Sequence, residues 1–245
     1  QGETGVHLEG QARLLRTIAR HWVRDDAAAD RLAKMSVGLH VSKTGMTPRN
    51  RLRLRQFDLP ENLAALLNLA PRVFKEEGRR KRPSRDQSLR AMRALAVEIL
   101  LVAPMRVRNL TQIELGRHLL EFRRGKHKRY HIVFAPEETK TREPFEVELP
   151  PETAALLDLY LNRFRPVLIA DNSPLLFPNA EGGKRCSVAF SQSIQRFVKA
   201  ETGLVMHTHL FRQFAGKVYL DANPFDVETI RRILGHRSTA TTLRA

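Results

Sequence analysis

The sequence lacks the features of membrane-spanning, disulfide-stabilised and disordered proteins. It has no apolar run long enough to cross a bilayer, and no signal peptide opens it. A single cysteine, Cys186, cannot form an internal disulfide, which indicates a reducing compartment. Apolar residues make up 42% of the 245 positions, enough for one large domain or two smaller ones. We therefore expect a folded cytoplasmic protein. Because the chain begins at Gln1 without a methionine, we expect a fragment or a processed product.

Negative charge is also scarce. The chain has 26 Asp and Glu residues against 42 Lys and Arg, which gives a formal net charge of +16. Both halves carry the basic excess. A charge of this size favours a polyanionic partner such as double-stranded DNA.

The sequence has none of the patterns that hold a catalytic metal or a serine nucleophile. Its 9 histidines include no H-E-x-x-H pair, and no cysteine cluster or G-x-S-x-G elbow occurs. His207 and His209 are two positions apart on a predicted helix and so face different ways. We expect neither a metal nor another cofactor.

The first 80 residues are predicted to form a helical, basic domain. Helices are expected over 9–23, 26–37 and 49–57, and an apolar helix from 62 is expected to end at Pro71. Two basic runs are candidates for contact with DNA phosphates, with a solvated connector or a spacer as their alternatives. They comprise Arg49, Arg51, Arg53 and Arg55, and then Arg79, Arg80, Lys81 and Arg82. The second run marks the predicted domain boundary.

The second predicted domain, 81–245, has a different pattern. A helix from Ser84 that ends near Pro104 is apolar nearly all round, so it is expected to be buried. Strands are predicted at 118–122, 130–134 and 144–149, and helices at 152–164, 187–201, around His209 and at 226–234. The predicted fold is mainly α with a small three-stranded antiparallel sheet.

The last forty residues contain the most specific motif. H-L-F-R at 209–212 is followed by I-L-G-H at 233–236 and by S-T-A-T-T. This order and spacing resembles the C-terminal catalytic segment of the tyrosine recombinases, the phage integrase family. The resemblance implies a two-domain architecture, with a helical core-binding, DNA-binding domain over 1–80 before an α+β catalytic domain over 81–245.

The resemblance also implies a first arginine just after the buried helix. V-A-P-M-R-V-R-N-L stands in that place, so Arg106 is the matching residue and Arg108 is the second choice. Many members have glutamate where this chain has Asn109, which leaves open how Arg106 is held.

A lysine on a hairpin turn is the other upstream part that the resemblance implies. Lys140 in E-E-T-K-T-R-E-P matches this context. Lys126 and Lys128 in G-K-H-K are the alternatives, although they lie between the first two predicted strands.

These residues suit phosphoryl transfer without a metal. Arg106 and Arg212 can each hold non-bridging oxygens of a pentacoordinate phosphorus, where negative charge collects in the transition state. His209 is placed to take the proton of the nucleophile, and His236 to hydrogen-bond the phosphate. Lys140 can protonate the leaving 5′ oxygen.

The family's nucleophile is a tyrosine that lies nine or ten positions after the histidine of L-G-H. The ninth position after His236 is Ala245, and the tenth would lie beyond it. Three explanations stay open: the chain was cut before the tyrosine, the tyrosine was replaced, or the protein is a non-cleaving relative. We expect this polypeptide to bind DNA without forming a covalent complex.

Other implications come from the resemblance alone. Family members act as tetramers on paired sites, so self-association on DNA is expected of a bacterial or phage-encoded, nucleoid-associated integrase. A type IB topoisomerase is the nearest enzymatic alternative. A DNA-binding accessory protein that keeps the fold without cleavage is the alternative from another class.

Overall fold

The computed structural model of the protein describes residues 2–38, 46–79, 82–124, 127–169, 173–223 and 226–234. The chain divides into two compact units, Gln1–Gly45 and Met46–Ala245. The division at residue 80 between a DNA-binding and a catalytic domain stays a prediction.

The first unit contains two helices. Helix α1 (Gly2–Ile18) continues as a π-helical turn to Val23, and α2 (Asp26–Val37) follows. Asp25 caps α2 because its carboxylate accepts a hydrogen bond from the Ala28 backbone N–H at 2.8 Å. The helices were predicted, but the large apolar side chains of the first are not buried. Trp22 is 87% exposed, whereas the small Ala19 is buried.

The second unit begins with three short helices. They are α3 (Pro48–Arg55), α4 (Pro60–Leu67) and α5 (Leu69–Glu77). The predicted interruption at Pro71 was wrong, since the break between α4 and α5 lies at Asn68. Pro71 instead lies in the first turn of α5, where a missing N–H breaks no intrahelical hydrogen bond.

The segment after α3 is tied to a later part of the chain. Both amide atoms of Gln56 bond the backbone of Val205, at 3.2 Å to its carbonyl oxygen and 3.1 Å from its N–H. Phe57 packs edge-on against Phe214, with ring centroids 4.6 Å apart. These contacts fix the end of α3 beside the helix that contains Arg212.

Helix α6 (Arg85–Val102) forms the centre of the core. A capping box between Ser84 and Gln87 starts it, and Leu95, Ile99 and Leu100 are fully buried. The prediction of a buried helix ending near Pro104 is thus confirmed. A short helix, α7 (Val107–Leu110), follows at once.

The predicted sheet is confirmed in number, order and direction of its strands. Strands β1 (Leu119–Arg124), β2 (His127–Phe134) and β3 (Phe145–Glu148) pair antiparallel in sequence order. Leu119 pairs with Ile132, and Ile132 in turn pairs with Val147, so one row of apolar side chains faces the core.

Most of the described residues after β3 are helical, as predicted. These helices are α8 (Pro151–Leu159), α9 (Arg165–Leu168), α10 (Ser187–Thr202), α11 (Leu210–Ala222) and α12 (Val227–Leu234). Gly203 ends α10 at a left-handed φ of 75°, and the Asp226 carboxylate caps α12 at the Thr229 N–H, 3.1 Å away. None of the described helices is long and apolar enough to cross a membrane. The mainly helical fold with a three-stranded antiparallel sheet is confirmed.

Candidate active site

A cleft of about 730 Å³ opens where α7, the turn before β3 and the start of α11 meet. Arg106, Lys140 and His209 all line this cleft. They are separated by up to 103 positions in sequence, and only the fold brings them together. The structure therefore gathers three of the predicted catalytic residues on one surface.

Arg106 stands at the junction between α6 and α7. Its backbone is extended (φ −74°, ψ 145°), which turns the chain from the end of the buried helix into α7. Burial lowers the pKa of its guanidinium from the ordinary value. Even a lowered arginine pKa leaves the group charged near neutral pH.

Lys140 lies in the connection between β2 and β3. A 3₁₀ turn (Pro136–Glu138) precedes it, and the Thr139 hydroxyl donates to the carbonyl oxygens of Pro136 at 3.1 Å and Glu143 at 2.8 Å. Arg142 has a left-handed φ of 56°, which reverses the chain just after Lys140. The lysine is exposed at the rim of the cleft.

His209 lies immediately before α11. The side chain is exposed to the cleft, but the surrounding protein partly desolvates its imidazole. This desolvation lowers the pKa of the ring, and the positive charges of Arg212, Arg106 and Lys140 lower it further. All three cations thus lie close enough to His209 to affect its ring. Neutral imidazole is thus the dominant form at neutral pH, which is the form that can accept a proton.

Arg212 is the most enclosed of these residues, with 5% of its surface exposed. One terminal nitrogen donates to the Pro104 carbonyl oxygen at 2.7 Å, and the other donates to the Leu234 carbonyl oxygen. Burial and the nearby Arg106 lower its pKa to about 10. Arg106 and Arg212 also share a second, small cavity of about 20 Å³. Arg212 therefore joins the segment before Arg106 to the end of α12.

The alternatives to Arg106 and Lys140 lie in different places. Arg108 also lines the cleft. Lys128 instead bonds Asp158 at 3.1 Å and is not among the residues that line the cleft. Lys126 and His236 lie outside the described residues.

Asn109, which stands where many members of the resembled family have glutamate, makes a buried contact. Asn109 is 6% exposed, and its side-chain N–H donates to the backbone carbonyl oxygen of Glu138 at 3.1 Å. The residue that replaces the usual glutamate thus links the Arg106 segment to the turn that holds Lys140.

Of the predicted DNA-contacting residues, those on α3 lie near the start of α11. Arg49, Arg51 and Arg55 are exposed, while Arg53 is half-buried. Asn50 on the same helix bonds Gln213 at 3.2 Å and His207 at 3.2 Å, which connects α3 to the segment that contains His209. In the second basic run, Arg79 and Arg82 are exposed, and Arg80 and Lys81 lie outside the described residues.

Sequence reasoning missed several residues of the cleft. One of them is Lys184, an exposed residue whose pKa is lowered by partial desolvation and by the nearby Arg108. Its E-G-G-K setting signals a turn, but a tertiary bridge between Glu114 and Leu175 brings that region of the chain to the cleft. Glu138 and the buried His118 were missed because neither stands in a recognisable local motif.

The arrangement can stabilise negative charge on a bound phosphate. Fixed cations in a partly desolvated site interact with developing charge more strongly than they would in water. Within the described part of the chain, no group of three His, Cys, Asp or Glu side chains could hold a metal ion. The chemistry available to these residues is charge stabilisation and proton transfer.

Comparison with known proteins identifies similar molecules. Residues 76–245 match the phage integrase family. The fold resembles the XerH site-specific recombinase bound to palindromic difH substrate in a post-cleavage complex, with a TM-score of 0.54, at 21% identity over 74% of this chain and 46% of that chain. The XerH pre-cleavage complex with difH substrate gives a TM-score of 0.56, at 19% identity over 75% and 47%. This chain spans about half the length of the recombinase chains that it matches. The curated proteins include no significant match.

Proposed function

Because the chain belongs to the phage integrase family, we propose that it is a site-specific DNA recombinase that cleaves and rejoins duplex DNA through a 3′-phosphotyrosine intermediate. The family match confirms the resemblance predicted from H-L-F-R and I-L-G-H. The observation that supports the activity is the convergence of Arg106, Lys140 and His209 on one cleft, with Arg212 beside them. XerH, which shares the fold, is a site-specific recombinase crystallised with its DNA substrate.

Each residue has a role in the proposed reaction. Arg106 and Arg212 stabilise the charge on the non-bridging oxygens of the scissile phosphate, and His236 donates a hydrogen bond to it. His209 accepts the proton of the tyrosine as its oxygen bonds to phosphorus. Lys140 gives a proton to the 5′ oxygen as the bond from phosphorus to that oxygen breaks.

The nucleophile is the part of the proposal that the sequence does not contain. No tyrosine occurs at or after His236, since Ala245 occupies the ninth position. We therefore expect the 245-residue chain to bind DNA without a covalent product. The intact mass and C-terminal peptide of the natural protein would show whether a tyrosine follows Ala245.

The direct test uses the full-length gene product and a duplex selected from random sequence by binding to it. A 5′-end label on the cleaved strand would remain attached to protein in a covalent 3′-phosphotyrosine complex. Arg106→Ala should lower the yield or rate of this complex by about 100- to 1000-fold, the usual effect of losing one charge-stabilising donor. Arg129→Ala, which removes an exposed arginine paired with Glu148 at 3.4 Å, is the control.

The alternatives give different results in the same experiment. A type IB topoisomerase would relax supercoiled plasmid without requiring the selected site. A non-cleaving accessory protein would bind the site, but its full-length form would give no covalent complex. Either result would contradict the recombinase assignment.

A further inference from the structure

Glu138 connects more parts of the cleft than its place in the sequence suggests. One carboxylate oxygen accepts hydrogen bonds from His118 Nε2 at 3.0 Å and from Arg117 Nη2 at 2.5 Å. The other oxygen accepts from the Ala135 backbone N–H at 3.1 Å. Its backbone carbonyl accepts from the Asn109 side chain at 3.1 Å. Four donors thus hold the residue two positions before Lys140: the adjacent Arg117 and His118, Asn109 on α7, and Ala135 at the start of the same turn.

His118 is a buried support for this carboxylate. It is 3% exposed, and its ring stacks on Phe134 with centroids 4.7 Å apart. Its Nδ1 accepts a hydrogen bond from the Glu114 backbone N–H at 3.1 Å, so the proton of the neutral ring is on Nε2 and is donated to Glu138. Ring orientation and tautomer are therefore both fixed, and the hydrogen bond from His118 is the main cause of the lowered pKa of Glu138.

Asn109 provides the connection to the first arginine. It lies on α7, three positions after Arg106, and is buried. Its hydrogen bond to the Glu138 carbonyl therefore fixes the Lys140 turn relative to the helix that begins at Arg106. Thr139 completes the connection, because its hydroxyl joins both sides of the turn.

From these contacts we propose that Glu138 is a positioning residue, which holds the Lys140 turn in place against the Arg106 segment with His118 as its support. The inference rests on the proposed function, in which Lys140 protonates the leaving oxygen. Lys140 is exposed and long, so its ammonium group depends on the backbone turn for its average position. A displacement of about 1 Å in a catalytic group can lower the rate by about 100-fold.

The chemistry of the leaving group gives a specific test. When the tyrosine oxygen attacks phosphorus, the bond to the 5′ oxygen breaks and that oxygen takes a proton from Lys140. If sulfur replaces the 5′ oxygen, the bond to sulfur breaks and the thiolate leaves without a proton, because thiols are much more acidic than alcohols. A defect confined to proton donation should then disappear.

The experiment measures single-turnover cleavage by the full-length gene product on two duplexes that differ only in oxygen or sulfur at the scissile 5′ position. Glu138→Ala should slow cleavage of the oxygen substrate by about 10- to 100-fold, and should cleave the sulfur substrate within about 3-fold of the unsubstituted protein. Lys140→Ala should show the same pattern, and Glu138→Gln should fall between Glu138→Ala and the unsubstituted protein. Arg106→Ala should be slow on both substrates, because its role does not depend on the leaving group.

Glu146→Gln is the matched control, since Glu146 also pairs with a histidine, His131, at 3.4 Å but on the outer strand of the sheet. It should cleave both substrates at the unsubstituted rate. Asn109→Ala tests the same link if Glu138→Ala unfolds below the assay temperature. Equal losses on both substrates, or no loss on the oxygen substrate, would overturn the positioning role while leaving the recombinase intact. An unsubstituted protein that cleaves neither duplex would overturn the proposed function as well.

Discussion

The residues of the cleft show how a group of like charges alters the histidine among them. Arg106, Arg212 and Lys140 all disfavour a proton on His209, and partial desolvation of the ring disfavours it more than any of them. The buried guanidinium of Arg212 donates its hydrogen bonds to two backbone carbonyl oxygens rather than to a carboxylate, so its positive charge is not neutralised by them. An anionic ligand would relieve the repulsion among these cations, which agrees with a phosphate-binding role.

The titration of His209 should reflect these neighbours. Its pKa in the folded 245-residue chain should lie below the ordinary 6.5, as measured by NMR titration of its ring protons. Lys140→Ala should raise this pKa, because it removes one positive neighbour, but the pKa should stay below 6.5 since desolvation and the two arginines remain. Lys128→Ala, in which the removed charge pairs with Asp158, should leave it unchanged.

The same shift has a consequence for stability. A histidine whose folded pKa is lowered binds fewer protons in the folded state than in the unfolded state. The contribution of His209 to the free energy of unfolding is therefore fully present above pH 6.5 and is lost as the pH falls below it. Between pH 7.5 and pH 5.5, the free energy of unfolding measured with urea should therefore fall less in His209→Gln than in the unsubstituted chain.

At the level of elements, one arginine ties three helices together. Arg90 on α6 bonds Glu76 and Glu77 on α5, at 2.8 and 2.6 Å, and Glu201 on α10 at 2.8 Å. The side chains of Arg90, Glu77 and Glu201 are less than a third exposed, so solvent screens these pairs only in part. These bonds lower the pKa of Glu76 and of Glu201.

Arg90→Leu should therefore lower the free energy of unfolding by about 1 to 3 kcal/mol, since it leaves partly buried carboxylates without their main cation. The loss should appear in urea unfolding at neutral pH. The difference between the variant and the unsubstituted chain should shrink at acidic pH. A carboxyl group whose pKa is lowered by folding stabilises the fold fully above its unfolded-state pKa, and this stabilisation is lost as the pH falls through its folded-state pKa. Arg129→Ala, at an exposed pair with Glu148, should change stability by less than about 0.5 kcal/mol.

For the whole molecule, the net charge of +16 predicts salt-sensitive binding to DNA. Arg51 and Arg55 are exposed on α3, so they are available to phosphates in the proposed complex. Arg51→Ala with Arg55→Ala should reduce the slope of log affinity against log salt by about 0.9 for each phosphate that the variant no longer neutralises. Fluorescence anisotropy of the 245-residue chain on duplex DNA measures this slope.

The matched control for that experiment removes the same charge elsewhere. Arg123→Ala with Arg129→Ala takes two arginines from the sheet that already pair with Glu121 and Glu148. An equal change of slope in both double variants would show that α3 contributes only through net charge, and would contradict its assignment as a DNA-binding surface.

Most of the elements were predictable because their signals are local. Strict alternation around Val147, the capping residue Asp226 and the stop at Gly203 each depend on a few neighbouring positions. The break at Asn68 was not predictable in this way. Proline is tolerated in the first turn of a helix. The presence of Pro71 therefore could not by itself show whether one helix ends at this residue or a new helix begins just before it.

The sequence by itself determined the fold class and the family, and it predicted the main cations of the candidate site, because periodicity and motif spacing are properties of the chain. Only the tertiary structure decided which side chains share the cleft. Arg106, Lys140 and His209 meet there, Arg212 is enclosed beside them, and Glu138 connects the lysine turn to α7. Such contacts join residues far apart in sequence, so burial and hydrogen bonding, which no local pattern records, determine them.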